Sequence, residues 1–113
     1  MVLGSGLPDI EAEISFLSAE EGGRKNCVYS GYRGQFFYEG HDWDADQQYP
    51  EVDEVLPGQL VRATIRFLSP ENHLGRVVPG MPFEIREGSR TVGRGVVTKI
   101  LHLRENAEKR AAD

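Results

Sequence analysis

The sequence predicts one all-β domain, a barrel or a sandwich, on three observations. Apolar residues alternate with polar ones at period two in several segments, glycine and proline punctuate the chain between them, and no internal stretch carries a helical stripe. At 113 residues there is room for one domain, and a chain of this size buries roughly two-thirds of its unfolded surface, enough for a real core. Hydrophobic residues make up 39% and charged residues 27%, which argues against both a disordered chain and a membrane protein.

The first strand is expected over about 10–18, where Ile10, Ala12, Ile14 and Phe16 alternate with Glu11, Glu13 and Ser15. Glu20-Glu21-Gly22-Gly23 breaks the pattern with a pair of turn-forming glycines. Tyr29, Tyr32, Phe36, Phe37 and Tyr38, punctuated by Gly31 and Gly34, read as one or two short strands. From Gly40 to Gly58 the chain is acidic, and it reads as a solvated hairpin anchored by Trp43. Pro57-Gly58 suits the two central positions of a type II turn. The run 60–68 puts Val61, Ala63, Ile65 and Phe67 on one face and Arg62, Thr64 and Arg66 on the other. After a Pro/Asn/Gly loop, Met81, Phe83 and Ile85 alternate with Pro82, Glu84 and Arg86, and Gly88-Ser89 matches a two-residue hairpin loop. The return strand, roughly 90–102, carries Val92, Val96, Val97, Ile100 and Leu101, a density that predicts burial on both faces late in the strand. Residues 103–113 form a polar tail, frayed or a short helix.

The chemistry inventory is thin. Cys27 is the single cysteine, so the chain has no internal disulfide or multi-cysteine metal cluster, and the thiol reads as buried and structural. His41, His73 and His102 lack ligand spacing and read as surface or half-buried residues. Asp42, Asp44, Asp46 and Asp53 occupy positions 1, 3, 5 and 12 of a calcium loop, but Gln47 stands where that loop requires glycine. No metal is therefore expected. No Gly-x-x-x-x-Gly-Lys-Ser/Thr segment exists to cradle nucleotide phosphates, and no cofactor or enzymatic activity is expected. No stretch approaches the roughly 18 apolar residues of a membrane span, and the start, Met1-Val2-Leu3-Gly4-Ser5-Gly6, lacks a basic leader. A cytoplasmic protein with no membrane partner is expected.

The net charge of −5 is unevenly spread: residues 1–60 hold twelve acids and three cations, residues 61–113 six acids and ten cations. An interleaved β-fold can mix these halves in space while still permitting a local basic patch. Arg24, Lys25 and Arg33 bracket the aromatic segment, a combination that can grip phosphates and stack bases. The same cations can equally serve neighbouring acids, and the aromatics the core.

Glu20-Glu21-Gly22-Gly23-Arg24, Gly31-Tyr32-Arg33-x-Gln35-Phe36, Leu56-Pro57-Gly58 and above all 86–97, Arg-Glu-Gly-Ser-Arg-Thr-Val-Gly-x-Gly-Val-Val, resemble the C-terminal domain of bacterial elongation factor Tu. The likeness runs in order over about 10–102, leaving residues 1–9 as a lead-in. It implies a six-stranded antiparallel β-barrel. It also implies contacts of that barrel with tRNA, with a GTPase domain and with a nucleotide-exchange factor. Arg33 falls on the arginine of the family's Gly-Tyr-Arg motif, a tRNA-backbone contact, with Lys25 beside it and Lys99 as a further RNA candidate. Pro82 and Glu84 replace a basic and a small residue on the surface that faces the GTPase domain, and with Arg86 and Glu87 they are the protein-interface candidates. A new carboxylate at a close interface is costly unless paired. The expected function is therefore a non-enzymatic binding module that docks a protein partner of the elongation machinery as mimic or regulator, with weak tRNA binding as the alternative.

Overall fold

Ile10, Ala12, Ile14 and Phe16 are buried and the residues between them are not. The alternation thus becomes strand β1 (Ile10–Phe16) in the computed structural model, which describes residues 6–112. Five shorter strands follow: β2 (Val28–Tyr29), β3 (Gln35–Tyr38), β4 (His41–Trp43), β5 (Ala45–Gln48) and β6 (Glu54–Val55). Then β7 (Leu60–Phe67), β8 (Pro82–Glu87) and β9 (Arg90–Ile100) return to long alternating runs.

The main sheet is antiparallel throughout, in the order β4-β3-β8-β9-β1-β7-β5. Its two end strands are consecutive pieces of one stretch, interrupted only at Asp44, whose carbonyl accepts the Leu68 N–H at 3.0 Å. Residues 41–48 therefore pair with β3 at one end and with β7 at the other, and the sheet closes into a barrel of six staves. Closure removes the exposed strand edges that an open sheet must otherwise protect. β2 and β6 form a separate two-stranded ribbon.

This corrects the reading of the acidic segment as a solvated hairpin. Ala45, Asp46 and Gln47 are buried. Asp46 meets Arg66 at 3.2 Å, and Gln47 Oε1 accepts from the Tyr49 hydroxyl at 2.7 Å. A polar strand can be buried because the Asp46 carboxylate and the Gln47 carbonyl oxygen find partners, although Gln47 Nε2 does not. Burial of late β9 on both faces is also corrected: Val97 is buried, but Val96 and Ile100 are 44% and 38% exposed, because a closed barrel has one interior and no element among the described residues covers this part of its outside.

The turns follow their sequence signals. Gln59 N–H bonds to the Leu56 carbonyl at 3.1 Å across Pro57-Gly58, with Gly58 at φ 89°, as a type II turn requires. Of the two outcomes for the tail, the structure takes the helix: α1 (Leu103–Ala112) packs on a single 3-10 turn, Pro70–Asn72, and buries Leu103, Asn106 and Ala107.

In the barrel interior Phe36 stacks on Phe83 with centroids 4.2 Å apart and meets Phe67 edge-on at 4.9 Å. Gly95 makes room for this stack, since a Cβ there would lie 2.3 Å from Phe83 Cζ. Phe83 cannot retreat without displacing Phe36. Gly95→Ala is expected to cost about 1–3 kcal/mol, the usual range for overpacking a core. A thermal melt should show a midpoint lower by roughly 5–10 °C; an unchanged midpoint would mean that the ring stack adjusts freely.

Candidate functional site

The outer faces of β1, β3, β8 and β9 carry an open groove of 690 Å³. Strand register sets its layout. One row across the sheet runs Glu13, Val96, Pro82; the next runs Leu60, Ser15, Arg94, Glu84, Phe37. Each of these is an outward position, because its chain neighbours on β1 and β9, such as Ile14, Gly95 and Val97, point inward. Leu60 is 67% exposed, and Leu60, Val96, Pro82, Met81 and Phe37 give the groove an apolar floor.

Its charges are unevenly matched. Register puts Arg62 opposite Glu13, yet its guanidinium goes to Glu11 at 2.5 Å and Glu51 at 3.0 Å. Glu13 has no ion pair among the described residues. Glu84 accepts a hydrogen bond from the Thr91 hydroxyl at 2.5 Å and has no cationic partner within 4.0 Å among the described residues. Glu39, on the rim, is paired with Arg76 at 3.0 Å. Arg94 is felt by Glu21, whose carboxyl is held below its ordinary range chiefly by hydrogen bonds to Ser18 and in smaller part by that guanidinium.

Two of the four interface candidates, Pro82 and Glu84, thus line the groove, while the other two are occupied within the chain. Arg86 lies 4.3 Å over the Phe37 ring, reaches the Ser89 carbonyl at 3.1 Å and faces Asp42 at 3.9 Å. Glu87 accepts from Tyr32 at 2.6 Å and from Arg24. Burial opposes ionisation of Glu87, but these two donors outweigh it and hold its carboxyl below the usual range. Burial, then the nearby Glu87, push the Tyr32 hydroxyl well above its ordinary value. Arg24, so engaged, is not a free cation.

Arg33, Lys25 and Lys99 are exposed and form no ion pair among the described residues. Lys99 stands opposite Glu11 on the outside of β9. The four aspartates of the calcium-like spacing are dispersed. Asp42 faces Arg86, Asp44 accepts from Gln35 at 2.9 Å, Asp46 pairs with Arg66, and Asp53 is exposed ahead of β6. Among the described residues no group of three or more His, Cys, Asp or Glu could hold a metal ion.

Two expectations need correction. Cys27 is half-buried rather than in the core, its Sγ 3.2 Å from both the Tyr29 hydroxyl and Glu54 Oε2. His73 is fully buried, stacked on Phe67 at 4.0 Å, edge-on to Trp43 and hydrogen-bonded through Nδ1 to the Tyr38 hydroxyl at 2.7 Å. Burial first, and Arg76 second, lower its pKa to about 4. Val96 was missed because it was read with the apolar run buried on both faces, and Leu60, which the alternation of 60–68 leaves on the outer face, was not singled out.

A closed six-stranded antiparallel barrel with an open apolar groove on its outer face defines an all-β barrel domain. The family model described as Elongation factor Tu C-terminal domain matches residues 6–101, and the chain belongs to that family. The match is to the barrel domain and includes no GTPase domain. Among the described residues no helix is long and apolar enough to cross a membrane.

Proposed function

We propose that this chain is a non-enzymatic, translation-factor-like binding module that docks a protein partner of the elongation machinery through the outer groove. The observation that carries the reading is the apolar floor around Leu60 and Val96, left uncovered between strands whose other faces are fully packed. Contiguous exposed apolar surface rimmed by polar groups marks an interaction site on a soluble domain. Against the alternative, most of the arginines are already engaged. Arg62, Arg66, Arg76 and Arg86 of the basic half all reach acids of the acidic half, so the barrel neutralises the asymmetry of the sequence. The free cations Arg33 and Lys25 favour tRNA only as a weak second reading.

Calorimetric titration with the purified GTPase domain of elongation factor Tu and, separately, its exchange factor tests this. Saturable binding of one of them, weakened at least about tenfold by Val96→Asp, is the expected result, since a buried charge at an interface centre costs more than about 1.4 kcal/mol. If neither binds at tens of micromolar while labelled aminoacyl-tRNA binds in a salt-sensitive manner lost in Arg33→Ala, the tRNA reading replaces it.

A further inference from the structure

We propose that the groove selects a protein segment in which an apolar side chain is flanked by lysine or arginine. This rests on the protein-docking reading above and adds the chemistry of the partner. The floor demands an apolar side chain: Leu60 and Val96 are 67% and 44% exposed, and Pro82 lies beside Val96 in the register. The carboxylates demand cations. Glu13 borders Val96 directly, while the arginine opposite it is held by Glu11 and Glu51. Glu84 sits in the next row with its Oε1 taken by Thr91, and Arg94, opposite it in the register, forms no ion pair with it among the described residues. Any partner that seals this surface strips water from two carboxylates that, with Arg94 the single cation lining the groove, have no ion pair among the described residues. That desolvation is prohibitive unless the partner brings positive charge to them. A second copy of this chain is a poorer match, because its own groove would bring the same carboxylates to the contact.

The test is a phage-displayed library of random dodecapeptides panned on the purified full chain. Recovered clones are then measured against Val96→Asp, Leu60→Ser and the double variant Glu13→Gln/Glu84→Gln. Both apolar positions are exposed, so each variant should keep the fold, which a thermal melt verifies; agreement between them guards against failure of either. The expected result is enrichment of clones with Leu, Ile, Phe or Met between Lys or Arg. Their affinity should fall at least about tenfold in both groove variants and severalfold in the double carboxamide variant, with a loss at high salt. Acidic or uncharged clones that still need Val96 and Leu60 overturn the inference and leave the groove a docking site. Clones indifferent to Val96 and Leu60, or no enrichment at all, overturn the docking reading together with the inference. So does dimerisation in sedimentation abolished by Val96→Asp, which would make a second copy the occupant.

Discussion

Asp9→Ala is expected to lower the stability of the barrel by about 3–5 kcal/mol and to loosen the C-terminal helix, because it takes the acceptor from the buried Phe67 N–H and one of the acceptors from Asn106 Nδ2, which keeps the Leu7 carbonyl. The Asp9 side chain is 1% exposed. Its Oδ2 accepts the Phe67 N–H at 2.7 Å and its Oδ1 accepts from Asn106 Nδ2 at 2.6 Å. Its backbone joins the same two regions, donating to the Ile65 carbonyl and accepting from Leu101 N–H, both at 2.9 Å. One residue therefore ties the end of β7 to the first turn of α1. Burial raises the Asp9 pKa, partly offset by the hydrogen bonds from Asn106 and Phe67. A carboxylate that is costly to bury persists here because both oxygens receive donors. Asp9→Asn is the informative control: one of its two termini is itself a donor and must meet a donor, so it should recover only part of the loss. Asn106→Ala removes the side-chain ties of α1 to Asp9 and to the Leu7 carbonyl but keeps the Phe67 N–H bonded, and should cost less than Asp9→Ala. Urea unfolding of the three variants, with amide exchange of residues 103–112, gives the comparison. An Asp9→Ala protein of wild-type stability with a protected helix would show that the network is incidental.

Legibility in the sequence followed whether a strand obeys the two-face rule. β1, β7 and β8 were readable because apolar and polar residues alternate along them, whereas β9 was found as a strand but its faces were misjudged, since Val96 and Val97 stand side by side. The stave that closes the barrel, 41–48, was not, because its buried positions are Ala45, Asp46 and Gln47, whose partners Arg66 and Tyr49 are identified only in three dimensions. The groove was half legible. Pro82 and Glu84 stood out by departing from the family pattern, whereas Val96 looked like core and Leu60, on the outer face of its run, was not singled out, since hydropathy does not tell which apolar residue a barrel uses outside. The Asp9–Asn106 contact joins residues 97 apart, beyond the reach of any local pattern.

Buried His73 sets the second large effect, a loss of stability on mild acidification. The ring lies between Phe67, Tyr38 and Trp43, its Nδ1 meets the Tyr38 hydroxyl, and its Nε2 has no hydrogen-bond partner. Protonation would place a charge among aromatic rings, make both ring nitrogens donors with only the Tyr38 oxygen within reach to accept, and oppose nearby Arg76, whose own guanidinium is committed to Glu39. The folded pKa is accordingly about 4, against an ordinary value of 6.5. Between these values the unfolded chain binds a proton that the folded chain refuses, so stability falls as pH drops from about 6.5 towards 4 and is unaffected by this group above that window. Integrated to pH 4, the loss is about 3 kcal/mol, a large fraction of the net stability of a small domain. His73→Gln removes the titrating ring. It should be less stable than wild type at pH 7.5, having lost the stack on Phe67, yet its unfolding free energy should decline less between pH 7.5 and 4.5. Other titrating groups, Asp9 among them, affect both proteins alike, so the difference between the two pH profiles isolates the histidine. Parallel profiles would mean that the ring accepts a proton in place, and that the aromatic end of the barrel admits water.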